Sequence, residues 1–138
     1  MGTPKTNPLR AAKAVLTGDV AALMDAFMLQ VEAGTQDDDW DGTDDWIGRV
    51  ILKRQEGEQT FIYQVTDGKM VRTQSDGPYI ASILMSVPTF LDIMDAALQG
   101  KGEDMWVSKY GAGRIVFQGD RWVADSERFR KILRRMGR

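Results

Sequence analysis

Apolar residues recur along this chain with two different periods, and the change of period divides it into elements. Val20, Leu23, Met24, Phe27, Met28 and Val31 follow the three- and four-residue spacing of one helical stripe, and Gly34 is a natural stop. Upstream, Asn7 as N-cap, Pro8 at the first helical position and Leu9, Ala12, Val15 and Leu16 predict a shorter helix. Residues 1–6 read as a loose tail and 7–138 as a single domain. After residue 45 the period shortens. Trp46–Lys53, Thr60–Thr66 and Lys69–Gln74 are short runs rich in β-branched and aromatic residues, broken at Glu56-Gly57 and at Asp67-Gly68, a strong hairpin signal. A fourth strand is expected over Tyr79–Met85. Ser86 then caps a helix carrying Phe90, Leu91, Met94, Ala97 and Leu98. A fifth strand runs over Gly113–Gln118, and a last helix starts near Asp125 or Ser126, with Phe129, Ile132, Leu133 and Met136 on its stripe. Helices flanking a strand meander predict an α+β fold, a five-stranded mainly antiparallel sheet with helices packed on one face.

Composition narrows function chiefly by what is missing. The 138 residues include no cysteine and no histidine. Thiol nucleophiles, disulfides, imidazole bases and the Ser-His-Asp triad are therefore excluded. Ser86 and Ser126 read as helix caps, and carboxylate pairs such as Asp92/Asp95 do not stand out from surface charge. No enzyme, cofactor or metal centre is expected. A net charge of −2 argues against a nucleic-acid partner. Lacking a signal-type apolar segment or a 20-residue span, the chain is expected to be cytoplasmic.

Two charged segments break the even distribution. Residues 35–45 hold six aspartates, and Asp37, Asp39, Asp41, Gly42 and Asp45 fall at positions 1, 3, 5, 6 and 9 of a calcium-binding EF-hand loop. Position 12, which needs a bidentate glutamate, is Gly48, so a solvated loop is the preferred reading. Residues 121–138 carry seven basic residues against Asp125 and Glu127. A docked helix with a solvated basic face explains them, and transient contact with an anionic membrane surface is the functional alternative.

The remaining signal is a surplus of large, adaptable apolar side chains: eight methionines, four tryptophans and five phenylalanines. Met24, Met28, Met94, Met105, Trp106, Phe117, Phe129 and Met136 sit on elements expected to face one space. Each alone is a core residue. As a set they suggest an apolar cavity.

From Tyr79 onward the order of motifs resembles the sterol-carrier-protein-2 (SCP2) type of lipid-binding domain. The residues that carry the likeness are Ile83-Leu84-Met85-Ser86, Phe90-Leu91, Gly100-Lys101, Met105, the run Gly113 to Asp120, and Phe129 to Met136. It extends over residues 20–136 and is specific over 79–120. The usual proline after Gly-Lys is replaced by Gly102-Glu103-Asp104, and the 34–45 loop is longer and more acidic than the family's. The resemblance implies an apolar tunnel between sheet and helices for a fatty acid, acyl-CoA, sterol or phospholipid. Its lining would come from Phe61, Tyr63 and Phe117 on the strands, Leu91, Met94 and Leu98 on the middle helix, a Met105-Trp106 loop, and Phe129 and Leu133 on the last helix. The expected role is non-catalytic binding or transfer of that ligand. The alternative is an interaction module whose groove takes a partner or a second copy as a homodimer. A calcium-tuned binder is a third reading.

Overall fold

The computed structural model describes residues 20–36, 38–43 and 45–137. The tail at 1–6 and the helix expected over 7–16 lie outside these residues. The described elements are α1 (Ala21–Gly34), β1 (Ile47–Arg54), β2 (Gly57–Thr66), β3 (Lys69–Thr73), β4 (Ala81–Ser86), α2 (Val87–Leu98), α3 (Gly102–Gly111), β5 (Ile115–Gln118) and α4 (Trp122–Arg135).

The strands form one sheet in the order β3-β2-β1-β4-β5. Its β1/β2, β2/β3 and β4/β5 pairs are antiparallel, whereas β1 and β4 run parallel in the middle. The sheet is thus mainly antiparallel but mixed, and the meander stops after β3. Asp67 and Gly68 both adopt positive φ, 52° and 77°, and make the tight β2–β3 turn. Residues 74–80 then carry the chain past β2 and β1. Crossing three strand spacings is about 14 Å, well within the roughly 23 Å that seven extended residues can reach. Thr73 and Ser82 lie at one level of the sheet through Ile62 and Arg49, so no return along the strands is required. The Arg49 guanidinium lies 4.6 Å from the centroid of the Tyr79 ring and donates from Nε to Ser82 Oγ at 2.8 Å.

The helices cover the opposite face. Strand alternation sends Phe61, Tyr63 and Val65, Leu52, Ile83 and Met85, and Ile115 and Phe117 to that side, where all are buried. Gly48 belongs to the same face and is occupied from above: a Cβ there would collide with the Trp46 ring. That packing accounts for glycine at the position where an EF-hand needs its glutamate.

Ser86 caps α2 as expected, its Oγ accepting from the Thr89 backbone N–H at 3.2 Å. Ser126 does not cap α4, which begins one turn earlier at Trp122. The Met105-Trp106 segment is not a loop but the first half of α3, where Glu103 and Asp104 favour the N-terminal dipole.

Candidate functional site: an apolar cavity between sheet and helices

The four described helices and strands β1, β3 and β4 contribute to one cavity of about 60 Å³ between the two layers. Met24, Phe27, Met28 and Val31 reach it from α1, one stripe of that helix over two turns. Val50, Met70, Ile83 and Met85 form the floor, Phe90 and Ile93 come from α2, Trp106 from α3, and Phe129, Ile132 and Leu133 from α4. The wall is apolar throughout, and four of the chain's eight methionines are in it.

Of the residues proposed from sequence, Trp106, Phe129 and Leu133 stand in this wall. Phe61, Tyr63, Met94 and Phe117 are buried in the surrounding core without reaching it, and Leu91, Leu98 and Met105 pack half-buried against that core. Phe117 and Phe129 are in aromatic contact, with ring centroids 6.0 Å apart, and Trp106 lies 6.1 Å from Phe129. The floor residues Ile83 and Met85 escaped sequence reading because Ile80–Met85 is an almost unbroken apolar run. Its alternation is hidden, as expected for a central strand buried on both sides. Burial pushes the Tyr63 phenol above its ordinary value, and its hydroxyl has no hydrogen-bond partner.

Along α4 and just before it, away from the cavity wall, basic side chains are paired with acids. Asp125, fully buried, accepts from Trp46 Nε1 at 3.0 Å and Arg128 Nη1 at 2.8 Å. Arg128 also donates from Nε to the Asp39 carbonyl at 2.7 Å and lies over the Trp40 ring. Arg135 binds the Asp39 carboxylate, Arg121 grips Asp45 through two hydrogen bonds, and Arg134 grips Glu103 at 2.8 and 2.6 Å. Burial raises the Asp39 pKa, but the Arg135 and backbone hydrogen bonds outweigh it and hold the carboxyl below its ordinary value. The Arg121 hydrogen bonds do the same for Asp45. Much of the basic face of α4 is therefore matched by acids of the same chain. The two described loop acids at EF-hand positions 3 and 9 are likewise engaged by arginine, and no cluster of three metal-ligating side chains occurs among the described residues.

No protein-family model matches the chain, and no curated protein does either. Solved structures do. The solution structure of palmitated SCP2L2 from Aedes aegypti superposes with a TM-score of 0.50 over 78% of this chain and 92% of its own, at 12% identity. This chain has the SCP2-type fold. The crystal structure of Sterol Carrier Protein 2 Like 2 from the same organism gives a TM-score of 0.49 at 17% identity, covering 80% of this chain and 94% of that one. A UbiJ-SCP2 ubiquinone synthesis protein gives 0.48 at 12% identity, covering 88% and 95%. The SCP2-type frame places the helical layer over the sheet's inner face, where the cavity lies. No described helix is long and apolar enough to cross a membrane.

Proposed function

We propose that this protein binds a chain-like lipid between its sheet and its helices and carries it without chemical change. The observation that carries the reading is the apolar, methionine-rich cavity at the centre of an SCP2-type fold. A neighbour of that fold is a palmitated protein, and a single acyl chain suits a wall with no polar anchor of its own. Burying each methylene contributes about 0.8 kcal/mol, so affinity grows with chain length.

The cavity must widen to do this, because ligand sites usually enclose about 300–1,000 Å³. Met24, Met28, Met70 and Met85 supply side chains that repack at low cost. Helix α1 is joined to the sheet edge through exposed ion pairs, Arg72–Asp25 at 2.6 Å and Lys69–Glu32 at 3.0 Å. Exposed pairs of this kind hold little energy, so an outward shift of α1 is opposed chiefly by the burial of Leu23, Met24 and Val31.

Titration of the purified protein with a fluorescent 16-carbon fatty acid, followed by tryptophan quenching, tests the reading. Saturable binding near equimolar ratio is expected, with a lipid mass co-purifying from the native host. Absence of saturation at micromolar protein, beside a positive control that saturates, refutes it.

A further inference from the structure

On the far side of Trp106 from the cavity lies a second space, a surface groove of about 330 Å³ between α3 and the start of α4. Trp106 lines both. It is only 5% exposed, yet its indole N–H has no hydrogen-bond partner. Leaving a buried donor unpaired costs about 1–3 kcal/mol.

Arg130, which also lines the groove, has a buried Nε that meets Glu103 only in a long ion pair, Oε2 at 3.6 Å. Glu103 is shared: Arg134 holds it through two hydrogen bonds at 2.8 and 2.6 Å, which leaves Arg130 the longer contact. A buried donor lacking an acceptor and a guanidinium whose acid is shared with Arg134 thus border the groove. Tyr110 and Trp122 wall it with rings stacked 6.4 Å apart, and Trp122 is 44% exposed, an apolar surface left open to solvent.

We infer that this groove is the head-group site and the mouth of the cavity, taking the carboxylate of a long-chain fatty acid. The inference rests on the lipid-binding reading above. Trp106 is the partition: turning its ring joins groove to cavity, the acyl chain passes inward, and the carboxylate stays outside against Arg130 and the indole N–H. One anion then gives the indole its missing acceptor and Arg130 a closer one than Glu103, in a charge-assisted geometry stronger than a neutral contact. Glu127, the acid of the groove wall, opposes this charge.

The test compares a 16-carbon fatty acid with its methyl ester by fluorescence displacement, on the full chain and three variants whose folding is checked by thermal melting. The wild type is expected to prefer the acid about tenfold. Arg130→Gln loses that preference, Trp106→Phe, which keeps the ring and deletes the donor, weakens the acid several-fold, and Glu127→Gln tightens it. Acid and ester bound equally by wild type, or an acid preference unchanged in Arg130→Gln, overturns the head-group assignment while leaving lipid binding intact. If wild type binds neither ligand, the lipid-binding reading falls and this inference falls with it. Should Trp106→Phe unfold, Arg130→Gln and Glu127→Gln decide the matter alone.

Discussion

Trp46 and Asp125, 79 residues apart in the chain, meet inside the protein, the indole donating to the carboxylate at 3.0 Å with both residues almost fully buried. This bond fastens the entry of the sheet to the first turn of α4. Arg128 completes it from one turn further along the helix. Asp125→Ala leaves a buried indole N–H and a partly buried guanidinium without their acceptor. Removing one member of such a set costs about 3–5 kcal/mol. Urea unfolding should show that loss, and a change below 1 kcal/mol would rule out a structural role for the pair.

Acid should weaken the fold through the arginine-paired carboxylates. Hydrogen bonding from Arg134 holds the Glu103 carboxyl below its ordinary value of 4.5, and Asp39 and Asp45 are held below 3.8. Their folded pKa values lie under the unfolded ones. The stability they contribute is therefore complete above the unfolded values and is lost as pH falls through the folded ones. The melting temperature should be level near neutrality and decline from about pH 5 downward. Glu103→Gln should make that decline shallower, and an unchanged slope would count against the pairing.

The buried Tyr63 hydroxyl has no partner. Deleting such a group removes a desolvation penalty, so Tyr63→Phe should raise stability by about 1 kcal/mol. Denaturant midpoints of the two proteins provide the comparison. A destabilised variant would mean that the hydroxyl is satisfied in solution.

Val50 stands in the cavity floor opposite α1. A Phe at this position fills the space an acyl chain would enter. Overpacking a tight core costs about 1–3 kcal/mol, but an existing cavity absorbs part of it. Val50→Phe should melt within a few degrees of wild type while fatty-acid binding weakens tenfold or more. Undiminished binding would place the ligand elsewhere.

Calcium should have no effect on folding. Asp39 and Asp45 are occupied by Arg135 and Arg121, and Gly48 stands where the bidentate ligand is needed. Millimolar calcium is expected to leave the melting temperature within 1 °C, and a clear rise would restore the EF-hand reading.

Apolar patterning with turn and cap residues located α1, all five strands and α2 to within a few residues. Their signals are local: the stripe from Val20 to Val31, the Asp67-Gly68 turn, the Ser86 cap. The start of α4 at Trp122 was missed because its first turn, Trp122-Val123-Ala124, carries no polar cap and exposes two large apolar side chains. The helical nature of Met105-Trp106 was missed because a ten-residue helix with apolar residues on several sides has no clear stripe.

The surplus of methionine and aromatic residues is a property of the sequence and already pointed to an apolar site, and the lack of histidine and cysteine removes imidazole and thiol chemistry from it. Which of those side chains share a cavity was decided by the tertiary structure. Strand order is the reason. Nothing in the pattern of Tyr79–Met85 says that β4 lies beside β1 rather than β3, yet that placement brings Ile83 and Met85 to the floor beside Val50 and under α1. The same holds for charge. The acidic loop and the basic last helix read as two separate solvated segments until folding set Asp39 against Arg135 and Asp45 against Arg121. Pairing across 76 to 96 residues depends on where the sheet delivers the chain, and no local spacing encodes it.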